Sequence, residues 1–345
     1  MKYKYIFYLS IVLIIVLFTS ILTESKIKNE LNIYSGRKLE LINPLINKFE
    51  KENKIKINIV TGASDAFIER LKLEGTNSPA DILLTTDVTR LIRAKKNNLF
   101  TSINSDILLK NVPKKYRSKD NDWFGFSVRA RPIIYSNERV DNRNLSTYKD
   151  LSDKKWQGRL CMRSSSNVYN QTLIASMIIN EGEKQTEAWI EKLVKNFSRK
   201  PFGGDRDQIR AIASGECDIT IANTYYLANM INSKNENDKR AAQKVSIFWP
   251  NQFSNGTHVN ISGAGIIKSA KNKNNAIKFL EFLSSKEAQE IYTKLNQEYS
   301  IRNDVLPSNT VAKFGNFIPD NLYLNKLSDK IIKKSVILST KKKWR

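Results

Sequence analysis

Histidine and cysteine are nearly absent: His258 is the one imidazole, and Cys161 and Cys217 are the two thiols. A single imidazole excludes an HExxH metalloprotease and any His-rich zinc cluster, because both need at least two. No CxxC pair occurs, which removes the thioredoxin and zinc-knuckle readings. There is also no GxxxxGK(S/T) phosphate loop and no GxSxG nucleophile elbow. Gly263-Ala264-Gly265 is a GxG lacking its third glycine, and close packing at a strand explains it more simply. Without a nucleophile or an acid–base pair, His258 reads as structural, and the chain as a binding protein with no catalytic site.

Acidic residues are scarce relative to basic ones: 34 Asp and Glu stand against 57 Lys and Arg, a formal net charge of +23. Such a balance invites a nucleic-acid or membrane-surface partner. The lysines, however, are spread through every segment and mixed with Asp and Glu, with no aromatic-interleaved basic stripe of RNA-binding type. A lysine- and asparagine-rich composition accounts for the charge, and no nucleic-acid partner is expected. Only the tail, residues 341–345, is a true basic run, and it reads as a frayed terminus. At 41% apolar and 10% aromatic, 345 residues can bury a core larger than one domain usually holds. Two domains are the expectation.

Residues 1–26 have the form of a targeting segment: Lys2 and Lys4 precede an almost unbroken apolar run over 6–22. No clean small-x-small cleavage site follows, so an uncleaved N-terminal anchor is the alternative to a cleaved signal peptide. No cysteine lies near residue 20, which excludes an acyl anchor. Either way the remaining chain is exported. In an oxidising compartment the two cysteines suggest a Cys161–Cys217 disulfide. Closing a loop of that length restricts the unfolded chain by ~4 kcal/mol in the entropy model. Two buried free thiols are the alternative.

In chain order, strands are expected at 32–35, 56–60 and 82–84. Helices follow each: one with Leu41, Leu45 and Phe49 on a face, one from Ser64, and one capped by Asp87. This βαβαβα order with short links signals a parallel sheet with helices on both faces. Further strands are expected at 123–128, 132–135, 158–162, 245–249 and 259–267. Helices are expected from Val168, over 184–197, from Gly203-Gly204-Asp205 to Gly215, over 275–283 and 286–295, and around 322–332. The whole reads as α/β, two lobes joined by crossing strands, with ligand bound where strand ends line the cleft.

The stretch CDITIANTYY, residues 217–226, runs a short alternating strand into two adjacent tyrosines, Tyr225 and Tyr226. A core wants at most one of two neighbours that face different ways. Tyr169 stands in the same relation to the strand ending at Arg163: strand, short loop, helix start. A disulfide between Cys161 and Cys217 would tie the two paths together, letting three phenols converge on one cleft edge. Helix N-termini favour negative charge and would help phenols of pKa about 10 ionise. Three phenolates suit Fe(III), a hard cation, and leave room for a small bidentate anion such as carbonate held by arginine. Arg37 and Arg129 are the candidates. Taken singly, Tyr169 fits a half-buried aromatic at a helix start, and each arginine fits a solvated or ion-paired surface residue.

At these residues the chain resembles the periplasmic ferric-ion-binding proteins that feed bacterial ATP-binding-cassette iron importers, the cyanobacterial ones included. The markers are IYSGRK, SPADILLTTD, Arg129-Ala130-Arg131, CMRSSSNVYN, GGDRDQIRAIASGECDITIANTYY, GTHVNISGAG and the EYSIR segment ending at Arg302, in that order. The resemblance implies a type II two-lobed solute-binding fold. Lobe 1 would take 31–130, lobe 2 131–255, a return to lobe 1 256–300, and a C-terminal segment packing on lobe 2 301–345. It implies ferric iron between the lobes, held by Tyr169, Tyr225 and Tyr226, with Arg37 and Arg129 at a synergistic anion. Where many members place a histidine, or a histidine and a tyrosine, this chain has Lys38 and Leu39. Where some carry an arginine after the tyrosine pair, it has Met230. The implied partners are an importer's permease and ATPase, the location the periplasm, and the state a monomer. Two alternatives stay open: the same fold binding another small solute, such as an organic anion or polyamine, and an exported basic protein binding nucleic acid or anionic polymers.

Overall fold

A computed structural model describes residues 29–322 and 324–345. The segment read as a signal peptide or anchor, 1–26, lies outside them. Among the described residues no helix is long and apolar enough to cross a membrane.

Among the described residues eight strands build two sheets: β1 (Glu30–Ser35), β2 (Lys56–Thr61), β3 (Ile82–Thr85), β4 (Phe124–Ala130), β5 (Ile133–Ser136), β6 (Ile219–Ile221), β7 (Val245–Phe248) and β8 (Val259–Ile266). The first sheet has the order β2-β1-β3-β8-β4. β1 pairs in parallel with β2 and β3, and β8 runs antiparallel to β3 and β4. The parallel half follows from the alternation in sequence, since a parallel pair needs a crossover and helices Asn43–Asn53 and Ser64–Glu74 supply it. β3 is buried along its whole length, and Asp87 just after it caps helix Val88–Lys96 by accepting from the Thr89 amide at 2.8 Å. Gly263 and Gly265 sit on β8, an interior strand between β3 and β4. A Cβ at Gly263 would meet the Phe124 carbonyl oxygen at 2.5 Å, so close strand packing is what the GxG serves.

The second sheet, β6-β5-β7, is antiparallel. The strand expected over 158–162 is not formed. Leu160 alone bridges, in parallel, to Phe197 and Ile219, after which the chain leaves the sheet to reach the helix Val168–Glu181. The Cys161 amide still donates to the Ile219 carbonyl at 3.0 Å, so two parallel chain segments leave the sheet side by side. The Cys161–Cys217 disulfide joins them at a Cα separation of 5.7 Å.

Two direct crossings connect the sheets. β4 becomes β5 through Arg131-Pro132, and β7 returns to β8 through 249–258. The crossings touch: the Arg131 amide donates to the His258 carbonyl at 3.0 Å. Buried Tyr148 joins them again, its hydroxyl donating to the Arg131 carbonyl at 2.6 Å and accepting from the His258 amide at 3.1 Å. One hydrophobic cluster fills the five-stranded lobe, and two others cover the faces of the smaller sheet.

Two expectations near the C-terminus are corrected. The helix around 322–332 is displaced: Leu322, Leu324 and Leu327 are buried in the core of the five-stranded lobe around a 3-10 turn, Leu324–Lys326. The Ser328 hydroxyl then caps a later helix, Asp329–Lys341, accepting from the Ile331 amide at 3.3 Å. The basic tail is not frayed. Trp344 is fully buried, edge-on to Trp189 and Phe197 in the core of the smaller lobe. The lysines before it pair with Glu187 and Glu191. Residues 301–345 therefore pack on both lobes, and Lys96 reaches Asp329 at 2.6 Å across them.

Candidate metal centre

Three helices of the smaller lobe point their N-termini at one cleft: Val168–Glu181, Asp205–Ser214 and Thr224–Ile231. Asn167 caps the first, accepting from the Tyr169 amide at 3.0 Å, which places Tyr169 in the first turn. Tyr225 and Tyr226 occupy the first turn of the third. Each phenol follows a segment leaving the sheet, and the disulfide fixes the distance between those segments. The hydroxyls of Tyr225 and Tyr169 come within 3.3 Å, and the rings of Tyr225 and Tyr226 lie 4.2 Å apart at 36°. All three tyrosines are half-buried at the wall of a cleft of about 560 Å³.

The facing wall comes from the other lobe, including Arg37, Arg129, Thr86 and Glu298. The two arginines are not surface residues: each is 2% exposed. Nη2 of Arg37 donates to both Glu298 carboxylate oxygens, at 3.0 and 2.8 Å, and to the Ser262 hydroxyl at 2.7 Å. Its Nε and Nη1 are buried and have no acceptor among the described residues. Nη2 of Arg129 donates to the Ile261 carbonyl at 2.8 Å and to the Thr86 carbonyl, while its Nε lacks an acceptor. The Arg129 guanidinium stands 5.5 Å from the Tyr169 ring centroid, across the cleft. Buried donors without acceptors are costly, so these three N–H groups fit an anion brought into the cleft.

Burial pushes the Tyr225 hydroxyl well above the ordinary phenol value, and its phenol neighbours add to the rise while Arg129 opposes it. Tyr226 is pushed up to about 12, first by burial and then by Tyr169 and Asp205, with Arg163 opposing. The helix N-termini were expected to ease ionisation; in the metal-free cleft burial wins over them. Burial works against charge on Arg37 too, but Glu298 prevails and its pKa is raised. Glu298 in turn is held below the usual carboxylate range despite its burial, by Arg37 and then Arg129. The cleft thus holds buried guanidinium cations opposite Tyr225 and Tyr226, whose phenols burial favours in the protonated form.

Several residues here carry no sequence signal of their own. Glu298 meets Arg37 from 261 positions away. Asp205 is fully buried, accepting from Arg131 at 3.0 Å and from Arg163 at 3.4 Å. Arg163 stands 5.8 Å from the centroid of the Tyr169 ring. At the cleft, Lys38 pairs loosely with Glu40 at 3.6 Å; Leu39, outside the lining, is 44% exposed. Met230 is buried in the core. His258 is buried in the hinge and its pKa is depressed to about 3, first by burial and then by Arg131 and Arg129. Among the described residues no cluster of three or more His, Cys, Asp or Glu could hold a metal. A larger groove of about 770 Å³, lined by alternating charges of helices Ser64–Glu74, Val88–Lys96 and Asp329–Lys341, lies apart from the tyrosines.

Comparison with known proteins agrees with this architecture. Iron uptake protein A1 of Synechocystis sp. is 47% identical over 300 residues, 87% of this chain and 83% of that protein. Among solved structures, the Trichodesmium FutA (IdiA) protein in complex with iron and citrate ligands superposes with a TM-score of 0.88 at 43% identity, covering 92% of this chain and 100% of that one. The ferric binding protein from Campylobacter jejuni gives 0.87 at 40% identity, covering 91% and 100%. The model of the bacterial extracellular solute-binding protein family matches residues 36–290. The chain belongs to that family.

Proposed function

We propose that this protein binds ferric iron between its lobes in the periplasm and delivers it to the permease and ATPase of an ABC-type importer. Tyr169, Tyr225 and Tyr226 are the ligands in this reading. The observation that carries it is the convergence of the three phenols, with two hydroxyls 3.3 Å apart, opposite buried guanidinium donors that lack acceptors. Neutral phenols at that distance share a hydrogen bond; as phenolates they would repel, and a trivalent cation between them removes the repulsion. Fe(III) prefers hard anionic oxygen, and three such ligands leave coordination positions open. A small anion, carbonate or a carboxylate, completes the shell, accepting from Arg129 and from the free N–H groups of Arg37.

No histidine or tyrosine is supplied at Lys38 and Leu39, so the lobe carrying Arg37 contributes charge and hydrogen bonds to the anion and no direct ligand. Binding and hinge closure are the whole activity, performed by a monomer without nucleic acid. The test is titration of the purified, metal-free protein with ferric citrate, followed by visible absorption. A phenolate-to-iron charge-transfer band that saturates at one equivalent is expected. A thermal shift with an organic anion or a polyamine, with no band on adding iron, would instead assign the cleft to another solute.

A further inference from the structure

The loop from Arg163 to Asn167 links the disulfide to the Tyr169 helix, and a side chain from a distant segment holds it. The Trp344 indole N–H donates to the Arg163 carbonyl at 2.9 Å. The Trp344 carbonyl accepts from the Ser165 amide at 3.3 Å and from the Ser165 hydroxyl. Asn170 shares the Arg163 carbonyl at 2.9 Å and accepts from Arg131 at 2.6 Å. The indole is fully buried, with ring centroids 5.9 Å from Trp189 and 5.8 Å from Phe197, so its position is set by packing. On the other side of the same residue, the Arg163 guanidinium reaches Asp205 at 3.4 Å, lies 5.8 Å from the Tyr169 ring centroid and lines the cleft together with Tyr226.

We propose that Trp344 is a positioning residue for the phenol cluster: it fixes the Arg163 backbone so that the guanidinium faces Tyr226 and Tyr169. This inference rests on the iron reading above. A cation donating to a phenolate oxygen lowers the energy of the electrons on that oxygen. It therefore raises the energy of the charge-transfer transition to iron, and a guanidinium fixed between Asp205 and the Tyr169 ring keeps the phenol cluster in place around the metal. Loosening Arg163 should shift the band to longer wavelength and speed removal of iron by a competing chelator.

The experiment compares wild type, Trp344→Phe, Ser165→Ala, Arg163→Ala, the Trp344→Phe/Arg163→Ala double variant and Leu338→Ala, all ferric-loaded. Trp344→Phe keeps an aromatic ring in the pocket and removes the indole donor, while Ser165→Ala removes the loop's side-chain bond to the Trp344 carbonyl and leaves the Ser165 amide bond in place. Arg163→Ala is expected to shift the band to longer wavelength and release iron to EDTA roughly tenfold faster. Trp344→Phe and Ser165→Ala are expected to move both readouts the same way, by roughly threefold in rate. The double variant should match Arg163→Ala alone, because Trp344 acts through Arg163. Leu338→Ala, in the same core cluster without a bond to the loop, should lower the melting temperature and leave the band in place. A wild-type band that neither Trp344→Phe nor Ser165→Ala moves overturns this inference alone, as does full additivity in the double variant. Absence of any band in wild type overturns the iron reading and this inference with it.

Discussion

Tyr225 is a poor acid, and in the proposed reading it is one of the three ligands. Its hydroxyl sits 3.3 Å from that of Tyr169, and burial with two phenol neighbours holds it neutral well above the usual range. Iron must therefore displace protons, and affinity should fall as pH falls. Tyr225→Phe removes one anionic oxygen and is expected to lower ferric affinity by at least roughly 100-fold in chelator competition. The same shifts govern the metal-free fold. Tyr226 is raised from 10 to about 12, so the folded state prefers the protonated phenol and its contribution is fully present below pH 10. As pH rises from 10 to 12 that contribution is lost. Thermal melts of the metal-free protein should show this loss over that window, and Tyr226→Phe should lessen it.

At the scale of elements, the positions of the tyrosines were legible because they depend on local signals. Asn167 before Val168 and the alternation of Ile219 and Ile221 before Thr224 mark helix starts and a strand end within a few residues. What was not legible depends on distant partners. The 158–162 strand reduces to a single bridge at Leu160, because Phe197 and Ile219 flank only that residue. The last helix begins at Asp329 because Leu322, Leu324 and Leu327 are claimed by another core, a choice that local periodicity cannot register. Trp344 was hidden inside a lysine run whose charges are paired by Glu187 and Glu191. Arg37 and Arg129 looked like surface cations, since nothing near them announces Glu298 or the Ile261 carbonyl. On β8, a Cβ at Gly263 meets backbone that cannot rotate away. Gly263→Ala is expected to cost about 1–3 kcal/mol in denaturant unfolding, with the iron band retained in the folded fraction.

For the whole molecule, contacts between the lobes are expected to set how long cargo stays bound in the proposed reading. Besides the cleft, Asp87 of one lobe accepts from the Thr172 hydroxyl of the other at 3.2 Å, while the same carboxylate oxygen accepts from Asn260 at 2.6 Å. Thr172 lies one helical turn beyond Tyr169, so this bond is aligned with the site. Thr172→Val keeps the side-chain shape and leaves Asp87 its Asn260 and Thr89 partners. Removing one cross-lobe bond worth about 1 kcal/mol should raise the open population and speed chelator removal of iron roughly fivefold, with an unchanged absorption band. Stopped-flow release with a spectrum of the loaded variant checks both halves. The two-lobed layout was readable from the order of α/β units, but the Asp87–Thr172 bond between the lobes joins residues 85 positions apart and leaves no local trace.

The proposed iron shell is one of phenolate and anion oxygens without histidine, since His258 is buried in the hinge, Lys38 lines the cleft and Leu39 beside it is exposed. X-ray absorption at the iron edge of the ferric-loaded protein tests it most directly. An oxygen-only first shell, with outer scattering from phenolate rings, is the predicted result. Imidazole scattering, sulfur at the iron, or a shell of water oxygens alone would contradict it.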